Sequence, residues 1–281
     1  MPIFTEFLIF CGCDSILALS IIGIPMKDLR SILGIGKPRR TENYDDELSV
    51  VEEGHSKALK CGNVVYSRIS SDSLYTHEYW DFFIPLPYAF ENPRILMIGL
   101  GGGTIAKQLT SFLGTRLSLD VVESDERMVR ISKKFIGEGS GFRIVKGDGA
   151  DYVSKREQNY DAIILDAYSE GLIPGKFLEM GFIRDAFLAL GNDGILAVNC
   201  TSMMDGTESL DDYSERLSSL FTVYKLDTSG YSLNSVLICS KSLDKKGLLG
   251  RITASFPESS ENAFLLRGYE RMYSLRSRKG R

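Results

Sequence analysis

From residue 94 onward, short apolar runs alternate with amphipathic stretches in a regular rhythm. The run at 94–98 (RILMI), bounded by Pro93 and Gly99, predicts a buried strand, and 104–113 predicts the helix after it. The same pattern gives strands at 117–122, 142–146, 162–165 and 194–199. Between them it gives helices at 125–135 and 150–155, and a helix carried within 176–190. Strands alternating with helices at this spacing predict an α/β fold, a parallel sheet with helices on both faces. A further helix at 210–220 precedes 222–226 and 235–240, which read as a closing antiparallel pair.

The chain ahead of residue 94 is patterned differently. Residues 48–53, 58–60 and 63–70 read as short strands, with turn signals at Gly54 and at Cys61 and Gly62. They predict a small β-hairpin region. Residues 75–90 are rich in aromatics, and a helix is expected up to Phe83, stopped by Pro85 and Pro87. The polar stretch 37–47 (KPRRTENYDDE) reads as a linker. Residues 3–25 are mostly apolar, enclose Glu6 and Asp14, and have no Lys or Arg before Lys27. Three readings are open: a helix packed on the domain or a partner, a weak membrane anchor, or an upstream extension with the start at Met26. The first and third are preferred, and no membrane association is expected. The expected organisation is an apolar segment and linker over 1–47, a β region over 48–74, the main domain over 75–245, and a basic helix or tail over 246–281.

Composition narrows the function classes. With 43% apolar and 25% charged residues among 281, the chain reads as an ordinary globular protein with a sizeable core. A net charge of −4 argues against a general nucleic-acid surface. Basic residues do cluster at the end (Arg267, Arg271, Arg276, Arg278, Lys279, Arg281); a solvated tail is preferred over an RNA or membrane contact. Five scattered cysteines (Cys11, Cys13, Cys61, Cys200, Cys239) form no disulfide framework and suit a reducing, cytoplasmic setting. Cys11 and Cys13 are too close for a usual zinc pair, and the only histidines are His55 and His77. A metal site or a Ser-His-Asp triad is therefore not expected.

Candidate chemistry gathers where the predicted strands end. Gly99, Leu100, Gly101, Gly102, Gly103 and Thr104 follow one strand and open a helix, where glycines let the backbone turn sharply and approach a ligand. Glu123 ends the next strand, 20 residues after Gly103, where a Rossmann-like fold sets an acid on ribose hydroxyls. Strand, glycine loop, helix, strand and acid together predict a site for an adenosine-containing small molecule. Gly147, Asp148 and Gly149 follow the third strand; Asp148 either accepts a hydrogen bond from an adenine amine or simply caps the next helix. Asp166 ends the fourth strand, where ligands of open α/β sheets sit, and is a general base, an amine holder or a structural cap. No Walker-type lysine follows the glycines, which disfavours an NTPase, and Thr104 spoils a clean dinucleotide fingerprint.

At these residues the sequence resembles the spermidine synthase family, the polyamine aminopropyltransferases, over about residues 50–241. Tyr75, Thr76, His77 and Glu78 look like the family's Tyr-Gln-Glu segment, ILMIGLGGGT like its glycine loop, and VVESDERMV like the segment whose Glu holds the ribose. GDGADYV looks like the adenine-contacting turn, ILDAYSEGLIP like the catalytic loop, and VLICSK like the closing strand. The resemblance implies a small N-terminal β domain before a Rossmann-like, methyltransferase-type domain. It implies aminopropyl transfer from decarboxylated S-adenosylmethionine to a small-molecule polyamine amine, without a metal, in an enzyme of a commonly oligomeric family, so a homodimer is expected. Gly99, Gly101, Gly102, Gly103, Glu123, Asp148 and Gly149 would hold the donor. Asp166 would take the amine proton, with Tyr75 and Glu78 lining the amine site and Tyr168, Ser169 and Glu170 in the substrate loop. Tyr75 reads equally well as core, and His77 is not taken as the base.

Two departures matter. The family loop carries an Asp, as in GGGDG, where this chain has Gly102, and a second Asp where it has Ser169, with Glu170 alongside. The first Asp would repel a donor carboxylate, so its loss leaves ordinary S-adenosylmethionine open as the donor. Methyl transfer on the same scaffold is the alternative, and a non-catalytic nucleoside-binding protein the third reading.

Overall fold

The computed structural model describes residues 40–44, 47–62, 64–137, 141–155, 159–169, 171–201, 209–229 and 234–275. The apolar N-terminal segment with Cys11, Cys13 and Met26, the loop residue Glu170, and the basic residues from Arg276 to Arg281 lie outside them. The chain divides into two compact units between Val65 and Tyr66.

The first unit holds strands β1 (Arg40–Asn43), β2 (Leu48–Glu53) and β3 (Ser56–Cys61). They form an antiparallel meander, with Thr41 opposite Val51 and Val50 opposite Leu59. The stretch read as a linker therefore contains a strand. Its polar sequence, RTEN, suits an edge, where side chains meet water and charge discourages further pairing. Strand β4 (Val64–Ser70) runs across the division of the chain.

The second unit is built on an eight-stranded sheet in the order β12-β10-β11-β9-β8-β5-β6-β7. Strands β5 (Arg94–Ile98), β6 (Ser118–Glu123), β7 (Arg143–Lys146), β8 (Tyr160–Leu165) and β9 (Leu190–Cys200) are parallel to one another. Central strands β5 and β8 are covered on both faces, which is why they read as unbroken apolar runs rather than alternating ones. Strands β10 (Thr222–Lys225) and β11 (Ser235–Ser240) are the expected antiparallel pair, and β11 adds antiparallel to β9.

Helices α1 (Thr104–Leu113), α2 (Glu126–Ile136), α3 (Gly149–Ser154), α4 (Met180–Ala189) and α5 (Leu210–Leu217) fall where the pattern put them. Local chemistry fixes their starts: Asp125 caps α2 by accepting from the Arg127 amide, and Lys133 and Lys134 sit in its last turn.

One further region differs from the expectation. The helix predicted up to Phe83 is an irregular turn over 75–78, then a 3-10 turn at Tyr79–Phe83. The cause is Asp81, whose buried carboxylate accepts from the Thr76 and His77 amides and so diverts them from a helical ladder. The turn ends at Phe83, ahead of Pro85, as expected, and Leu86–Ala89 then forms a second 3-10 turn with Pro87 inside it. Beyond residue 245, where a basic helix or tail is expected, the chain is helical. Helix α6 (Lys245–Ser255) buries Leu248 and Ile252, α7 (Ser260–Glu270) buries Leu265 and Tyr269, and β12 (Tyr273–Ser274) pairs with β10. Tyr269 donates to the Phe82 carbonyl at 2.8 Å, tying α7 to the first 3-10 turn. Among the described residues, no helix is long and apolar enough to cross a membrane.

Candidate active site

The chain builds β5, β6 and β7 outward in one direction and then returns to place β8 on the other side of β5. Connections leaving β5 and β8 diverge there, opening a crevice at the carboxyl ends of the strands. Gly99 and Asp166 occupy the two lips. The Asp166 amide donates to the Ile98 carbonyl at 2.9 Å, and a Cβ on Gly99 would lie 2.2 Å from the Asp166 carbonyl oxygen. Glycine at 99 is thus the condition for closing the loop against the end of β8.

The rest of the loop, through Gly101 and Gly103, turns into α1. Glu123 pins it: one carboxylate oxygen accepts from the Leu100 amide at 2.8 Å, the other from the Asp125 amide at 2.7 Å. Its side chain is buried, and each oxygen retains a second lone pair for a ligand hydroxyl. Gly102 is packed from below. Its amide donates to Ser67 Oγ at 2.6 Å, and a Cβ there would meet Ser67 Cβ at 2.7 Å and Phe135 Cδ1 at 2.9 Å. A side chain at 102 would require Ser67 and Phe135 to shift, so the loop as built is filled where an aspartate would stand. Thr104 strengthens this attachment, exchanging hydrogen bonds with the Arg68 amide and carbonyl.

Asp148 caps α3, of which Gly149 is the first residue, by accepting from the Ala150 and Asp151 amides at 2.8 and 3.3 Å. Its other oxygen pairs with Lys176. Burial alone would raise this carboxyl, but Lys176 and the two amides outweigh it and hold the group below the usual range. The capping role weighed from sequence is realised, and Lys176 is a partner that the sequence did not suggest.

Asp166 stands in contrast. Its carboxylate accepts from Tyr79 Oη at 3.1 Å and from Asn199 Nδ2 at 2.8 Å, both neutral groups. It keeps an accessible edge by surface area, yet protein atoms surround it closely, and this desolvation pushes its carboxyl up to about 6 against the two hydrogen bonds. Tyr168 Oη donates to the Asn199 carbonyl at 3.0 Å. Burial raises the phenols of Tyr79 and Tyr168, so both are neutral donors.

The aromatic beside Asp166 is therefore Tyr79, not Tyr75. The Tyr75 hydroxyl donates to Asn262 Oδ1 at 2.7 Å and its ring tilts onto Phe112, so it packs with α7 and α1. Glu78 is half-buried; burial raises its carboxyl, with Arg68 opposing and Asp81 reinforcing. Ser169 is exposed and exchanges backbone hydrogen bonds with Leu172, closing a tight turn after Asp166. Sequence reasoning missed Tyr79, Asn199, Asn234 and Ser67. Asn199 was reachable, because it sits near the carboxyl end of a predicted strand. Tyr79 was hidden among its aromatic neighbours, and nothing marked Ser67 or Asn234. Among the described residues, no cluster of three or more metal-ligating side chains occurs.

Comparisons with known proteins agree with this arrangement. A polyamine aminopropyltransferase of Neisseria meningitidis serogroup A is 30% identical over 206 residues, covering 68% of this chain and 74% of that protein. The crystal structure of a spermidine synthase in complex with the transition-state analogue AdoDATO superposes with a TM-score of 0.62 at 17% identity, covering 84% of this chain and 85% of the other. Human methyltransferase-like protein 13, solved with SAH, shares the fold at a TM-score of 0.50 and 20% identity, covering 67% and 88%. The model of the spermine/spermidine synthase domain matches residues 82–234, a span that runs from the 3-10 turn through the glycine loop, Glu123, Asp148, Asp166 and Asn199 to Asn234. With more than half of its length matched, the chain belongs to the spermine/spermidine synthase family.

Proposed function

We propose that this protein transfers an aminopropyl group from decarboxylated S-adenosylmethionine to the amine of a small polyamine. The observation that carries the reading is Asp166: a desolvated carboxylate with neutral partners, pushed up to about 6, at the lip shared with the glycine loop. A primary amine is a cation at neutral pH and cannot attack until it loses a proton. Asp166 holds the ammonium by charge and takes that proton as the nitrogen closes on the methylene next to the sulfonium. The N–C bond forms, the C–S bond breaks with its electron pair passing to sulfur, and a neutral thioether nucleoside leaves.

The donor lies along residues 99–103, with its ribose on the free lone pairs of Glu123 and its base at the turn of Asp148 and Gly149. Tyr79 and Tyr168 wall the amine site, and Glu78 adds a second carboxylate for a polycationic acceptor. Incubation with decarboxylated donor and putrescine or spermidine yields the thioether nucleoside; a folded protein that binds this donor yet releases none would overturn the reading.

Methyl transfer is the second reading, and the filled space under Gly102 favours it. Without a loop carboxylate, the site does not repel the carboxylate of ordinary S-adenosylmethionine. Calorimetry with both donors separates the two: preference for the decarboxylated donor supports aminopropyl transfer, and preference for the carboxylated one supports methyl transfer.

A further inference from the structure

We infer that Asn234 and Asn199 form a carboxamide relay of fixed polarity that keeps Asp166 a proton acceptor, with Asn234 a positioning residue acting through Asn199. The inference deepens the proposed function and rests on the base role given there to Asp166.

Asn199 is fully buried at the site end of β9. Its carboxamide has a donor end and an acceptor end, and either could face Asp166. The donor end stabilises an ionised carboxylate. The oxygen end would repel it and would demand a protonated Asp. Asn234 is matched to the first arrangement, its Nδ2 donating to Asn199 Oδ1 at 2.9 Å. With its oxygen so engaged, Asn199 presents Nδ2 to Asp166 Oδ1 at 2.8 Å. The backbone of Asn199 is fixed as well, by pairing with Val236 on β11 and by the Tyr168 hydroxyl on its carbonyl.

The relay also differentiates the two carboxylate oxygens. Asn199 and Tyr79 converge on Oδ1, at 2.8 and 3.1 Å, whereas among the described residues Oδ2 has only a 3.4 Å contact with Tyr79. Oδ2 is the oxygen left to take the amine proton. Among the described residues, the titratable groups facing Asp166 are Tyr79 from the 3-10 turn and Tyr168 from its own loop, and Cys200 of β9 faces Tyr168. Burial raises all three, so within this set Asp166 alone titrates near neutral pH.

Carbon-13 labelling of aspartate carboxyls, with Asp166→Asn to assign the signal, reads the midpoint of Asp166 without turnover. In Asn199→Leu the midpoint rises by about one to two pH units, the worth of a hydrogen bond to a charged group. Asn234→Leu raises it by less, in the same direction, and in each variant the acid limb of kcat/KM moves with the midpoint. In the unsubstituted protein, the side-chain amide protons of Asn199 titrate with Asp166, a result that needs no variant to fold. An unchanged midpoint in folded Asn199→Leu, or Asn199 amide signals blind to Asp166, overturns the relay. Wild-type signals at both groups in folded Asn234→Leu remove Asn234 from it. If the midpoints shift as stated while no aminopropyl product forms, the relay stands and the proposed function falls.

Discussion

Two aspartates of the same sheet, Asp120 and Asp166, each accept a hydrogen bond from a tyrosine and differ in what else they meet. Asp120 lies in β6 toward the amino ends of the strands, with Tyr160 Oη at 2.8 Å and the Arg143 guanidinium at 2.7 Å. Asp166 ends β8 at the carboxyl side, with Tyr79 in place of Tyr160 and the Asn199 carboxamide in place of the guanidinium. Burial raises both carboxyls. At Asp120, Arg143 and Tyr160 outweigh it and the group ends below its usual range; at Asp166 the neutral donors do not, and the group stands at about 6. A carboxylate whose cation is supplied by the fold is structural. One whose cation is withheld leaves that place for a ligand, and it sits where open α/β sheets bind ligands.

The largest effect follows from removing that carboxylate. Asp166→Asn keeps the shape and the Asn199 contact but cannot take a proton, so kcat falls by about 10²–10⁴-fold while donor affinity by calorimetry holds. Retention of turnover within a few-fold would move the base elsewhere.

Filling the loop is next in size. Gly102→Asp drives a side chain into Ser67 and Phe135 and buries a charge, at a cost of about 2–4 kcal/mol in denaturant unfolding. Ser67→Gly in the same chain removes one of the two clashes and recovers part of that loss. A Gly102→Asp protein as stable as the original would show that the loop accommodates the family's acidic residue after all.

The aspartates also part in how stability answers pH. Asp120, lowered in the fold, contributes stability that is present above the unfolded carboxyl range near 4 and lost as pH falls through its folded value. Asp166, raised to about 6, does the reverse: its contribution is full below about 4 and is lost as pH rises through 6. Asp120→Asn therefore destabilises at pH 7, by about 1–2 kcal/mol since Arg143 is half in water, while Asp166→Asn stabilises at pH 7 by about 2 kcal/mol. Near pH 3 the Asp166 difference is gone, and the Asp120 difference shrinks as pH falls toward its folded value. Urea midpoints at pH 3, 5 and 7 would refute the contrast if both variants moved in the same direction.

Much of this was legible in the sequence, for reasons that particular elements make plain. The strand runs and glycine loop are set by burial and backbone space, and Glu123 and Asp166 follow from their places at strand ends, so all were reachable without coordinates. Tyr79 was not, because the turn presenting it is made by Asp81, whose carboxylate gathers the Thr76 and His77 amides and Gln108 from α1. Local side-chain-to-backbone bonds, anchored by one long-range partner, thus override an apparent helical pattern. Strand β1 was missed because an edge strand need not be apolar. Ser67 and Asn234 come from β4 and the segment before β11, and only the fold brings them to the loop and the base.

The smallest effect tests the kind of partner, a tyrosine hydroxyl, that each aspartate has. Tyr79→Phe removes one neutral donor from Asp166 and leaves Asn199 in place. Since that hydrogen bond favours the ionised form, its loss raises the midpoint, by about one pH unit from about 6. The acid limb of kcat/KM, which reports the free enzyme, moves up by the same amount. At pH 6 the variant is then several-fold slower, and at pH 8.5, where Asp166 is ionised in both proteins, the gap narrows. A uniform loss across the pH range would assign Tyr79 to amine binding alone. Removing the matching phenol by Tyr160→Phe leaves the limb where it was, because Asp120 keeps its guanidinium and lies outside the reaction.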